Sequence, residues 1–261
     1  AWARRHDPAV YRAYMTRLLA RADIDGVRAL LDEYASAYRH DGLWEWGQMN
    51  CLRLTADHQS VLDLVSASKV PESHHESSCL AHFALGNYGD ALSDAMALNN
   101  QFPGNQYFIA MLLTALRCLD DPRYQQLVNY DAMLYEIDLT ALENDGGVAI
   151  DWAALATDVA ALHTMQDSPM LQSVRSGTQS SGNLFTANRQ GGIAQLATSI
   201  EQQARRVFAQ VSELNQPQEH PLRMFRPRQP MMHASWSIKA AAATYHESHV
   251  HSKGWYSGTC Y

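Results

Sequence analysis

A chain of 261 residues with a formal net charge of −7, 46% apolar and 18% charged residues, holds enough apolar side chain to bury a core, and its length favours two domains over one. The acidic balance works against a phosphate-backbone partner, because the basic residues are scattered rather than clustered. The longest apolar stretches, residues 108–113 and 240–243, fall far short of the ~20 residues that cross a bilayer, so no transmembrane helix is expected and the chain should fold in water.

The four cysteines, Cys51, Cys79, Cys118 and Cys260, form no CxxC pair, and three of them lie in apolar helical patterns where a thiol acts as a small hydrophobe. That usage points to a reducing cytoplasm. The opening run with Trp2, Arg4 and Arg5 carries no signal-peptide pattern. It reads as the start of a piece cut from a longer protein.

Residues 1–129 read as helical hairpins. Turn signals at Ala22-Asp23, Ala56-Asp57, Gly86-Asn87 and Asp120-Asp121 recur at intervals of 34, 30 and 34 residues, and between them apolar residues repeat at three- and four-residue steps, as in Val27, Leu30, Leu31, Tyr34 and Tyr38. Pro71 and Pro103-Gly104 fall between successive hairpins, where a missing amide donor is tolerated. The unit from Cys79 through Ala84, Gly86-Asn87 and Ala91 to Pro103 resembles a tetratricopeptide repeat. That likeness implies three or four hairpins stacked over roughly residues 8–130 into a solenoid that either binds a protein or peptide or only packs against the domain that follows. His74, His75 and Glu76, with His58 and His82, lack metal-ligand spacing and are read as helix-surface residues.

Residues 130–261 change character. Residues 131–139 suggest a strand or connector, Gly146-Gly147 a turn, and Asp151 a cap for a helix running to about His163. A polar stretch at 172–183 reads as a furnished loop, followed by a helix from about Ile193 to Leu214. The proline- and arginine-rich residues 215–232, with Arg223, Arg226 and Arg228, read as an extended connection. Residues 235–240 alternate as a strand, and 245–251 and 255–261 are candidates for two more.

In a strand at 245–251, Glu247, His249 and His251 would share one face, because side chains two apart point the same way. Two imidazoles on one face supply half or more of a transition-metal site, such as the two-histidine, one-carboxylate set of non-haem iron enzymes.

The blocks Gln172-Ser173-Val174-Arg175-Ser176-Gly177-Thr178-Gln179-Ser180-Ser181-Gly182-Asn183-Leu184-Phe185, Ser235-Trp236-Ser237-Ile238 and His249-Val250-His251-Ser252-Lys253-Gly254-Trp255-Tyr256-Ser257-Gly258, preceded by Leu162-His163, resemble in order and separation the 2-oxoglutarate/Fe(II)-dependent oxygenases fused behind tetratricopeptide-type repeats in bacteria. The resemblance implies an α+β chain, with a helical-repeat array at 1–129 and the N-terminal part of a double-stranded β-helix, a jelly roll, at 130–261. It implies Fe(II) and 2-oxoglutarate as cofactors for a dioxygenase of the hydroxylase type. His249 is then the first iron ligand and His251 the second, with Arg175, Thr178, Gln179, Trp255 and Ser257 placed to support or line the cofactor pocket. Relatives in the wider superfamily carry a carboxylate where His251 stands. A distal histidine and a basic co-substrate residue would follow Tyr261. The alternative is a non-catalytic interaction scaffold whose β domain is structural.

Overall fold

Four helix-to-helix turns in the first half close in the same way. The computed structural model describes residues 7–38, 41–69, 71–144, 147–164, 173–188, 190–213, 220 and 231–261. It is mostly helical with a small two-stranded antiparallel sheet, and divides into two compact units, Ala1–Tyr124 and Gln125–Tyr261.

The first unit holds α1 (Pro8–Leu19), α2 (Ile24–Tyr38), α3 (Gly42–Leu54), α4 (His58–Ala67), α5 (His75–Leu85), α6 (Tyr88–Gln101) and α7 (Gln106–Cys118), with a 3-10 turn at Pro71–His74 and α8 (Arg123–Leu127) at the boundary. From α1 to α7 each helix packs on the next in sequence. At the ends of α1, α3, α5 and α7 the chain turns through a left-handed residue: Ala22 (φ 52°), Ala56 (φ 56°), Gly86 (φ 76°) and Asp120 (φ 51°). The following amide then reaches back to the helix, from Asp23 to the Leu18 carbonyl, Asp57 to Leu52, Asn87 to His82 and Asp121 to Leu116, while the left-handed residue bonds Leu19, Arg53, Phe83 and Arg117 respectively. This double bond is the Schellman motif, which satisfies carbonyls left open at a helix end. Three of the four second residues also cap the next helix: Asp23 accepts from Gly26 N, Asp57 from Ser60 N and Asp121 from Arg123 N. The four turn positions expected from the sequence are thus the four that close by this pair of bonds, while Gly104 (φ 83°) gives a further left-handed residue between α6 and α7.

Only one of the four carries glycine, the residue that adopts this conformation without steric cost. A left-handed L-residue costs about 1–2 kcal/mol. Ala22→Gly and Ala56→Gly are therefore each expected to stabilise the first unit by about 1 kcal/mol, read as a higher urea midpoint. A lower midpoint would show that the unfolded-chain entropy of glycine outweighs the relief.

Cores fill the spaces between successive helices. Tyr11, Met15, Leu18, Val27, Leu30, Leu31, Tyr34 and Cys51 form one cluster, in which Tyr34 is fully buried and stacks on Tyr38 at 4.8 Å. The buried Tyr34 hydroxyl donates to Asp41 Oδ2 at 2.8 Å, while Asp41 Oδ1 accepts the first amides of α3. One carboxylate thereby ties α2 to the cap of α3. A second cluster joins Cys79, Ala91, Ala95, Leu98, Phe108 and Met111 across α5, α6 and α7. Ala81, Ala91 and Ala95 are fully buried, and their small side chains let the helices approach closely.

The second unit is built around α11 (Trp152–Ala161) and α13 (Gly191–Glu213), with short helices α9 (Tyr130–Met133), α10 (Leu139–Asn144) and α12 (Leu184–Ala187). Asp151 caps α11, accepting from Ala154 N at 2.9 Å. Ile150, Leu155, Leu184, Ile193 and Leu196 form the core between them. Strands β1 (Val174–Gln179) and β2 (Ile238–His246) pair antiparallel: Gln179, Thr178 and Gly177 face Ile238, Lys239 and Ala240, then Arg175 and Val174 face Tyr245 and His246. Between those stretches β1 has Ser176 alone, held at φ 58°, while β2 has residues 241–244. The bulge is closed by Thr244 Oγ1, which donates to the Ser176 carbonyl at 2.7 Å and accepts from Ala241 N at 2.6 Å.

Several expectations change here. The stretch 172–183 contains β1, whose polar, glycine-bearing sequence becomes a strand because β2 supplies its ladder partners. Residues 131–139 form α9 and a connector. The strand begun at 235–240 starts later and runs on to His246, and among the described residues neither 247–251 nor 255–261 is a strand. Gln172, Asp145, Gly146 and most of 215–232, with Arg223, Arg226 and Arg228, lie outside the described residues.

Candidate functional site

His249 and His251 lie in the irregular segment that follows β2, with their rings edge to face at 4.9 Å between centroids. His246, the last residue of β2, stacks on His249 at 5.8 Å, and Trp236 packs on His251 at 5.5 Å. The rings form a chain of contacts from His246, at the Val174 end of the ladder, through His249 and His251 to Trp236, just before β2 begins at the opposite end. The expected sharing of a strand face is replaced by a turn of the chain: Glu247 N bonds the Ser173 carbonyl and His249 Nδ1 contacts the Glu247 carbonyl at 2.8 Å. All three histidines are exposed by residue. His251 has its pKa lowered, first by partial burial and then by the neighbouring His249, which favours the neutral imidazole that a metal requires.

The carboxylate that would complete a facial set is engaged elsewhere. Glu247 receives Arg175 Nε at 3.0 Å and Nη2 at 2.8 Å, a two-pronged ion pair. Among the described residues no three of His, Cys, Asp and Glu are disposed to hold a metal ion. A complete iron centre therefore does not fit the described residues as they stand: two imidazoles lie side by side and no third donor joins them.

The remaining residues expected at the site divide between the two ends of the sheet. Arg175 stands beside the imidazoles through Glu247. Thr178 and Gln179 lie beyond the bulge, where Thr178 Oγ1 meets His163 Nδ1 at 2.8 Å. Trp255 is half-buried, and Ser257 is exposed in the irregular C-terminal segment.

A second cluster had not been anticipated from the sequence. His163, just past α11, bonds Thr178 of β1 through one nitrogen and Ser237 Oγ through the other, at 2.9 Å. Ser180, buried, accepts from Ser237 N, and its own amide donates to the Ser237 carbonyl. Ser235 Oγ donates to Asn183 Oδ1 at 2.6 Å and accepts from Phe185 N. The only sequence signal for this network was the Ser-Trp-Ser alternation at 235–237, which places two hydroxyls on one side of an extended chain. His163 has its pKa lowered by burial and by the positive Lys239 nearby, so it holds the sheet as a neutral ring that donates to one hydroxyl and accepts from the other.

Two of the histidines read as surface residues, His74 and His75, are paired with carboxylates of other helices, and His74 is buried rather than on the surface. His74 Nε2 meets Glu45 Oε2 at 2.9 Å and His75 Nδ1 meets Asp94 Oδ1 at 2.8 Å. Cys51 and Cys79 are buried, and burial, with Asp94 and Glu76 nearby, pushes the Cys79 thiol up to about 12. It stays protonated and donates to the Ala91 carbonyl. Among the described residues no helix is long and apolar enough to cross a membrane.

No family model matches the chain, and no curated protein or solved structure matches it.

Proposed function

We propose that the second unit belongs to an iron(II)- and 2-oxoglutarate-dependent oxygenase domain of the jelly-roll type, with His249 and His251 as two of its metal donors. The observation that carries this reading is the 4.9 Å apposition of the two rings, backed by Trp236, in the segment that follows β2. The spaced blocks from Ser173 to Gln179, from Ser235 to Ile238 and from His249 to Ser257 support it, as does the neutral state favoured at His251. In such an enzyme the protein contributes geometry and a dry pocket, while the metal carries the demanding chemistry. A third donor is needed besides these two.

The test is anaerobic addition of Fe(II) and then 2-oxoglutarate to the protein. The expected result is a visible charge-transfer band in the wild type that disappears in His249→Ala, with the fold retained by circular dichroism. An identical band in the variant, or none in the wild type, removes the reading.

A second reading applies to the first unit and is favoured by its four equivalent turns. Repeated hairpins closed by the same hydrogen bonds, each burying its apolar face on the next, suit a tetratricopeptide-like interaction module. In this reading the helices present a surface to a protein or peptide partner.

A further inference from the structure

The ends of α1 and α3, the first residue of α4 and the middle of α5 enclose a shallow concavity of about 370 Å³, lined by Leu19, Asn50, Arg53, Leu54, His58 and Leu80. Its make-up is uneven. Three leucines give aliphatic walls, Leu54 being 48% exposed, and the polar groups are all able to donate a hydrogen bond.

Arg53 has no salt-bridge partner among the described residues. It is nevertheless half-buried. An arginine so placed loses part of its hydration without a carboxylate in return, which leaves it disposed to accept one from outside. Its charge reaches Tyr107, whose hydroxyl is pushed up by burial and by Glu76 and drawn down by Arg53. Glu76 thus lies in the same neighbourhood without being paired to it.

His58 adds a second donor. Its Nδ1 is shut off from solvent and has no partner, so the hydrogen is better carried on Nε2, the ring atom left to meet a ligand. Asn50 uses one amide hydrogen on the Trp46 carbonyl at 2.8 Å, keeping its second hydrogen for another acceptor. A guanidinium, an imidazole and an amide set among leucines are complementary to a carboxylate carried between aliphatic groups. The volume matches a side chain or two rather than a large cofactor.

We propose that this concavity receives one acidic side chain, flanked by aliphatic residues, from a partner polypeptide. The proposal rests on the reading of the first unit as an interaction module and specifies the chemistry its partner presents. Arg53 supplies the charge, His58 and Asn50 orient the carboxylate, and the leucines take the flanking side chains. Because the chain carries a net charge of −7, the attraction is local to this site and weakens with salt.

The experiment uses surface-bound peptides containing Leu-Asp-Leu or Leu-Glu-Leu in a Gly-Ser background, beside their Asn, Gln and Lys counterparts, probed with the whole chain. The acidic peptides are expected to be retained at least tenfold more than their amide counterparts at low salt. Arg53→Gln should erase that difference and Arg53→Lys restore part of it. If Arg53→Gln fails to fold, the acid-to-amide comparison on the wild type decides alone. Retention indifferent to the acidic residue or to Arg53 overturns the subsite and leaves the module reading standing, whereas retention of none of the peptides overturns both.

Discussion

Gly192→Ala is expected to unfold the second unit at a markedly lower denaturant concentration while the first unit's transition stays in place. Gly192 opens α13 against the backbone of α11, and a Cβ there would sit 2.6 Å from Leu155 N and 2.7 Å from its Cα. Neither is the movable end of a side chain, so the two helices must separate. Separation opens the core that Leu155, Ile193 and Leu196 share. Alanine would gain about 1 kcal/mol in helix propensity, but overpacking of this kind costs about 1–3 kcal/mol and more when backbone must move. The net loss should be about 2 kcal/mol, read as separate shifts of near-ultraviolet and helical signals. An unchanged midpoint would mean that α11 and α13 slide apart at no cost, contrary to the core they bury.

The second large effect is expected at His163. Removing its ring in His163→Ala leaves the Thr178 and Ser237 hydroxyls without their shared partner and frees the end of α11 from the sheet. With two hydrogen bonds lost at about 1 kcal/mol each, the sheet should loosen by about 2 kcal/mol, seen as faster amide exchange along β1 and β2. The same residue gives the unit a pH dependence. His163, His220 and His251 all have pKa values lowered from 6.5, in each case first by burial. The unfolded chain then binds protons more readily than the folded one. Stability is therefore full above about pH 6.5 and is lost as the pH falls below it towards the depressed folded values. Melting of the second unit at about pH 7.5 and pH 5.5 should show the decline, and His163→Ala should make it shallower. A second unit that melts higher in acid would reverse the sign and refute the assignment of these rings as neutral.

What could be read from residues alone follows how far apart the deciding contacts lie. The turns at Ala22, Ala56, Gly86 and Asp120 were legible because a Schellman turn is closed by bonds reaching only three and five residues back. The Asp151 cap was legible for the same reason, since it spans one turn. The α13 face with Leu196 and Val211 followed from helical spacing. The sheet was not legible at its ends. Val174–Gln179 has no alternation of its own and is a strand because Ile238–His246 lies beside it. Residues 245–251 were a candidate strand, yet the chain leaves the ladder after His246, when Glu247 is drawn back to Ser173 and Arg175. His163 was placed only by contacts with Thr178 and, 74 residues away, Ser237, and nothing local announces such a hub. At the candidate site the rings of His249 and His251 do touch, but on a chain that has left the ladder and not on the single strand face expected.

The alanines at 241–243 work as a spacer. Gly177 faces Ala240 and Arg175 faces Tyr245, so β2 spends five steps where β1 spends two. Excising Ala241, Ala242 and Ala243 would bring Thr244 opposite Ser176 and leave every pairing on both flanks as it is, with Ser176 no longer obliged to hold a left-handed twist. Excising two would leave one extra residue and turn His246 to the other side, whereas excising one would leave two extra and keep its side. Because side chains alternate from one side of a strand to the other, the parity of this run sets the side from which the chain departs towards His249 and His251.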